Sequence, residues 1–284
     1  MAALVAHAGN AFVIGLTGAP GVGKSTCTNA LVSAYRARGR RVGVLAVDPS
    51  SPFSGGALLG DRVRMQEHAT DRDVYIRSMA TRGHLGGLSW ATPQALRVLD
   101  AAGCDLILVE TVGVGQSEVE VAGLADTTVV LLAPGMGDAI QAAKAGILEV
   151  GDLYVVNKAD REGADSTARE LRHMLNLGRS RQPGDWRTPI IKTVASRREG
   201  LEELLDALDE HRSWLEQTDE LTQRRQRRAA DEVEAIAVTA LRHQLVDPRS
   251  GHALDDLACR VAAGETDPYT AADRLIEGLR SGRA

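Results

Sequence analysis

Gly18-Ala-Pro-Gly-Val-Gly-Lys24-Ser25-Thr26 constrains the architecture more than any other segment of the chain. It fits G-x-x-x-x-G-K-[ST] and directly follows an apolar run, residues 11–17, that reads as a buried strand. Residues 27–38 have helical composition and end at Gly39. A strand, a glycine-rich loop and a helix in that order make a phosphate cradle: glycines let backbone N–H groups turn inward, and the helix N-terminus adds partial positive charge. Lys24 is then expected to reach the β- and γ-phosphates, and Ser25 to place its hydroxyl on Mg²⁺. Gly18, Ala19, Pro20, Gly21, Val22, Gly23, Lys24, Ser25 and Thr26 are the expected phosphate-binding residues.

Asn157-Lys158-Ala159-Asp160 closes a second apolar run, residues 153–156. An N-K-x-D tetrad at a strand end reads guanine, because a carboxylate accepts from both N1–H and the exocyclic amine. Adenine offers that carboxylate no donor, and an unpaired buried carboxylate is costly. The expected ligands are therefore GTP and GDP with Mg²⁺, the base being read by Asn157, Lys158 and Asp160.

Apolar runs at residues 42–47, 74–79, 106–109, 128–132, 153–156 and 189–194 alternate with helical patterns along the chain. With the first run this predicts an α/β fold, a mostly parallel sheet flanked by helices on both faces. Aromatic residues are only 3 %, so Val, Leu, Ile and Ala must build the core. Ligands of such sheets sit beyond the carboxyl ends of the strands, where the loops singled out here all lie. After about residue 200 the pattern turns helical, with helices expected over 201–215, 231–245, 253–263 and 270–280. The expected division is a GTPase domain over residues 1–211 and a C-terminal helical region over 212–284. A tail of this size cannot bury its apolar faces alone, and dimerisation through it is the preferred expectation.

Composition excludes several classes. A net charge of −5 gives no electrostatic reason to expect nucleic acid as a partner. The run Arg224-Arg-Gln-Arg-Arg228 is expected to be a solvated helix face. The three cysteines, Cys27, Cys104 and Cys259, show no paired spacing and read as reduced, buried residues. No apolar run approaches the roughly 18 residues that span a bilayer, and no signal peptide is evident, so a cytoplasmic protein without membrane attachment is expected.

Between the two signature motifs lie the candidate catalytic residues. Glu110-Thr-Val-Gly113 stands where most GTPases carry D-x-x-G: the carboxylate serves Mg²⁺, through water given the extra methylene of Glu, and the Gly113 N–H meets the γ-phosphate. Val114 follows, where a water-orienting Gln is common, so slow hydrolysis that depends on a partner is expected. Gln116 and Glu118 lie nearby and read equally as ordinary loop residues. Asp48 ends the second strand and is a candidate for metal or water duty; Asp61 either serves the metal or caps a helix. His84 reads as a hydrogen-bonded loop histidine.

The motifs together, G-A-P-G-V-G-K-S-T (18–26), D-P-S-S-P-F-S-G-G (48–56), L-G-D-R-V-R-M (59–65), R-S-M-A-T-R-G-H-L-G-G (77–87), V-E-T-V-G-V-G-Q-S-E-V (109–119) and N-K-A-D (157–160), resemble the MeaB/ArgK/MMAA-type G proteins. The resemblance covers roughly residues 12–215. It implies a homodimeric P-loop GTPase that binds adenosylcobalamin-dependent methylmalonyl-CoA mutase, gates loading of its cofactor and protects or rescues it from inactivation. Carried over by position, the first switch falls on residues 48–65, the second on 110–118, and a further mobile segment on 135–144, whose Asp138 and Lys144 are candidates for coupling partner to hydrolysis. Family members usually carry an N-terminal helical extension, and only a short stretch precedes the first strand here. The final guanine loop, commonly with Ser-Ala, reads Thr193-Val194-Ala195-Ser196, leaving the backbone N–H of Ala195 to meet guanine O6. Two other classes stand against this reading. A nickel-delivering GTPase needs Cys or His clusters, and the cysteines are isolated. A small-molecule kinase needs a second substrate pocket and would not be expected to carry N-K-x-D.

Overall fold

The computed structural model describes residues 4, 9–48, 66–68, 70–80, 91–111, 117–135, 146–177, 184–246 and 251–280. Its chain groups into two compact units, Met1–Arg225 and Gln226–Ala284.

In the first unit the strands are β1 (Phe12–Thr17), β2 (Val42–Asp48), β3 (Val74–Ala80), β4 (Leu106–Thr111), β5 (Thr127–Leu132), β6 (Leu153–Asn157) and β7 (Ile190–Thr193). They form one seven-stranded sheet in the order β3-β2-β4-β1-β5-β6-β7. Every pairing is parallel, with Phe12 opposite Leu106, Leu16 opposite Val129 and Asn157 opposite Thr193. Parallel neighbours require crossovers, supplied by α1 (Lys24–Ala37), α2 (Thr92–Ala101), α3 (Ser117–Leu124), the short α4 (Ile147–Val150) and α5 (Ala164–Leu177). The helix α6 (Leu201–Gln217) follows β7.

Because side chains alternate along a strand, both faces must be apolar. Phe12, Ile14 and Leu16 join Leu31, Tyr35, Leu204 and Leu208 on the face covered by α1 and α6. Val13, Ile107 and Val109 join Leu96, Leu99 and Val121 under α2 and α3. Farther along the sheet, Val130 and Tyr154 pack on Leu171 and Leu175 of α5. The central strands β1, β4, β5 and β6 are buried along their whole length, which is why they read as continuous apolar runs.

The helix α7 (Glu220–Val246) begins well before the helix expected at 231, and its first turns hold the arginine run. Arg224 and Arg225 are not a solvated face. Arg224 pairs with Asp152 through Nη1 at 2.9 Å and Nη2 at 3.0 Å. Arg225 donates to Asp126 at 3.2 and 2.9 Å and to the carbonyls of Gly9 and Ala11 at 2.8 and 2.9 Å. Both aspartates stand at strand starts, where Asp126 also accepts from Val13 N at 3.0 Å and Asp152 from Thr128 N at 2.8 Å. Charge counting sees a basic run; the fold pairs Arg224 and Arg225 with buried carboxylates.

In the second unit α7 continues, followed by α8 (Gly251–Ala262) and α9 (Pro268–Arg280). Asp267 caps α9, accepting from Tyr269 N at 2.9 Å and Thr270 N at 3.0 Å, with Pro268 in the first turn. Val233, Ile236, Val238, Leu241, Leu254, Tyr269 and Ile276 are exposed on this unit. No helix among the described residues is long and apolar enough to cross a membrane.

Candidate nucleotide-binding site

The loop between β1 and α1 is bent by three glycines with positive φ, Gly18 at 138°, Gly21 at 81° and Gly23 at 96°. A side chain at Gly18 would put its Cβ 2.2 Å from the Leu131 carbonyl oxygen of β5, so only glycine lets the loop lie on the sheet edge. Gly23 sits at the N-cap of α1 without any side-chain cap, and no acidic residue occupies the first turn. That leaves the positive end of the helix aimed at an anion without a competing carboxylate of its own. Lys24 is 7 % exposed, and its Nζ donates to the carbonyls of Gly18 at 2.5 Å and Ala19 at 3.0 Å. Its ammonium is thereby folded over the loop, while Pro20, Gly21 and Thr26 form an exposed rim.

Glu110, next to last in β4, is buried beside the start of α1. Its Oε1 accepts from Ser25 Oγ at 2.6 Å and its Oε2 from Thr28 Oγ1 at 2.7 Å. A hydroxyl and a carboxylate within hydrogen-bond distance, both hard oxygen donors beside the phosphate loop, fit Mg²⁺, which takes few protein ligands and completes its shell with water and phosphate. Burial, reinforced by the charge of Glu110, pushes the neighbouring Cys27 thiol up to about 12, so this cysteine stays protonated and inert.

The loop after β6, expected to read the base, is joined to the phosphate loop by hydrogen bonds. Asn157, buried at the end of β6, donates through Nδ2 to the Val22 carbonyl at 2.8 Å. Its Oδ1 accepts from Thr193 Oγ1 and from Ala195 N, both at 3.1 Å. One amide thus ties the phosphate loop, the end of β6 and the turn after β7 into a single frame. The approach is close: a Cβ at Gly23 would come within 2.4 Å of Asn157 Nδ2. Lys158 adopts φ 57°, rare for a side-chain-bearing residue, and its Nζ donates to the Gly21 carbonyl at 2.6 Å. Asp160 projects from the same loop, 40 % exposed, and pairs with Arg197 Nη2 at 2.5 Å. Arg197 comes from the 3₁₀ turn Ala195–Arg197.

Lys24, Ser25, Glu110, Asn157, Lys158, Asp160 and Ala195 therefore converge at the carboxyl ends of β1, β4, β6 and β7. The Ala195 N–H, expected at guanine O6, is engaged with Asn157 here. Asp48 is the last residue of β2, beside Ala80 of β3, in backbone position only. Asp61, His84, Gly113, Val114, Gln116, Asp138 and Lys144 lie outside the described residues, and Glu118 is described by backbone alone within α3. Thr28 and Arg197 were not singled out by sequence reasoning, and Thr193 was named only as the first residue of the final guanine loop. Thr28 had a legible signal, since it lies three residues beyond Ser25 on one helix face; Thr193 and Arg197 gain their roles only through contacts across strands. Among the described residues no group of His, Cys, Asp and Glu is clustered to hold a metal ion by itself.

Residues 1–249 match the family model described as methylmalonyl Co-A mutase-associated GTPase MeaB. A Pyrococcus abyssi protein named as a GTPase is 48 % identical over 276 residues, covering 96 % of this chain and 85 % of that one. The methylmalonic aciduria type A homolog of Mus musculus, a mitochondrial protein, is 38 % identical over 274 residues, 95 % of this chain and 66 % of that one. The crystal structure of a LAO/AO transport system kinase superimposes with a TM-score of 0.72 at 27 % identity, covering 98 % of this chain and 85 % of that one. With the glycine-rich loop after β1, the N-K-x-D tetrad after β6 and the parallel sheet in place, the chain belongs to the MeaB family of P-loop GTPases.

Proposed function

We propose that this protein is a GTP-hydrolysing chaperone that gates cofactor loading and protects or reactivates an adenosylcobalamin-dependent acyl-CoA mutase, methylmalonyl-CoA mutase foremost. It works in the cytoplasm as a homodimer, with Mg²⁺ held by Ser25 and Glu110 and, from the sequence, by Asp48 and Asp61. The observation that carries the nucleotide half is the Asn157 amide, which couples the phosphate loop to the base-reading loop. Against an ATP-dependent kinase stands the N-K-x-D tetrad, whose Asp160 carboxylate matches the donor edge of guanine and not adenine. The partner half is supported by the family description and by the name of the mouse relative. Slow intrinsic turnover follows from Val114 standing where a water-orienting Gln is common.

The test is the steady-state rate of GTP hydrolysis with and without purified methylmalonyl-CoA mutase. Acceleration that vanishes in Lys24→Ala is expected. A rate that the mutase leaves unchanged would keep the GTPase and discard this partner.

A further inference from the structure

Glu110 is the carboxylate assigned above to the metal, and the structure grips it twice. Ser25 Oγ takes Oε1 at 2.6 Å, and Thr28 Oγ1 takes Oε2 at 2.7 Å. Both hydroxyls come from successive turns of α1, so one rigid helix presents two donors to one carboxylate. The Thr28 hydroxyl also lies 3.0 Å from the Lys24 carbonyl; its single hydrogen has two acceptors, of which the carboxylate is nearer and charged. Thr28 is fully buried, and Glu110 is 4 % exposed. A glutamate has one more rotatable bond than an aspartate, and that bond must be immobilised if the carboxylate is to meet a metal shell at a defined place.

We propose that Thr28 is a positioning residue for Mg²⁺: by holding Oε2 it orients Glu110 so that Oε1 and the Ser25 hydroxyl serve the ion together, and it thereby sets the Mg²⁺ affinity of the nucleotide complex. This rests on the Mg²⁺-dependent GTPase reading above. Thr28 touches neither nucleotide nor metal and acts through Glu110.

The test is release of a fluorescent N-methylanthraniloyl-GDP from the full chain, followed as Mg²⁺ is titrated and again in excess chelator. In Thr28→Val the Mg²⁺ concentration that half-slows release is expected to rise about tenfold, the worth of one hydrogen bond to a charged group, while release in chelator stays as in the parent. Thr28→Ser is expected to restore the parent midpoint. Thr28→Ala, which does not place a methyl against the carboxylate, carries the same expectation as Thr28→Val. In a Glu110→Asp background, where the shorter side chain no longer spans both hydroxyls, Thr28→Val is expected to add little, the non-additivity of a shared contact. An unshifted midpoint in Thr28→Val and Thr28→Ala would overturn the proposal. Equal loosening with and without Mg²⁺ would also overturn it, since that marks a merely structural role. If Ser25→Ala left the Mg²⁺ dependence intact, the metal reading itself would fail and take the proposal with it.

Discussion

Asp160 is the residue proposed to decide base choice. Its carboxylate can only accept, so it matches the donor edge of guanine, and Arg197 beside it supplies a countercharge. In Asp160→Asn the amide can donate as well. The expected outcome is GTP affinity reduced about a hundredfold and xanthosine triphosphate bound better, measured by nucleotide competition. Retained guanine preference would remove Asp160 from the base-reading role. At the same scale, His211 is a buried residue with a pH signature. It is fully enclosed, with Nδ1 2.8 Å from Thr127 Oγ1, Nε2 3.5 Å from Asp152 Oδ1, and Trp186 and Trp214 against its ring. Burial, reinforced by Arg224 and opposed by Asp152, pushes it down to about 4. The unfolded chain therefore binds the extra proton first as pH falls. Stability from this group is complete above the ordinary value near 6.5 and is lost toward pH 4, about 3 kcal/mol in all. Urea unfolding between pH 7 and pH 4.5 is expected to show a shallower fall in His211→Gln than in the parent.

At the scale of elements, the first turns of α7 act as a clamp on the strand starts, at the opposite end of the sheet from the nucleotide loops. Arg225 joins α7 to Asp126 before β5 and to the backbone before β1, and Asp126 is fully buried. Removing the cation leaves a buried carboxylate with the Val13 N–H but without its bidentate partner. Arg225→Ala is expected to lower unfolding free energy by about 2 to 3 kcal/mol in urea titration, with nucleotide affinity little changed. A loss within experimental error would mean that the clamp is ornamental. The asymmetry has a physical cause: the loops at the carboxyl ends depend on glycine at Gly18 and Gly23 and hold Lys158 at φ 57°, uncommon for a side-chain-bearing residue, so their rigidity comes from the frame beneath them.

At the scale of the whole molecule, the second unit leaves Val233, Ile236 and Leu241 exposed at helical spacing on α7. A second copy of the chain is the proposed cover. Ile236→Glu combined with Leu241→Glu is expected to shift the mass in light scattering from twice 30.2 kDa to 30.2 kDa, without loss of GDP binding by the first unit. An unchanged dimer would place the interface elsewhere.

Legible in the amino-acid order alone were the glycine-rich loop between a strand and a helix, the N-K-x-D tetrad at a strand end, the identities of the strands and the parallel character of the sheet. These are local: a glycine spacing, a four-residue motif and continuous apolar runs each carry their meaning within a few residues. Tertiary structure alone decided that Arg224 and Arg225 lock onto Asp152 and Asp126, 72 and 99 residues away in the chain. It alone decided that Asn157 bridges to Val22, 135 residues earlier, and that Arg197 flanks Asp160. The start of α7 eluded sequence reasoning for the same reason, because its first turns are stabilised by ion pairs that no periodicity encodes. Hydrogen bonds and ion pairs across a parallel sheet join residues that crossovers hold far apart, so their partners become visible only when the strand order is known.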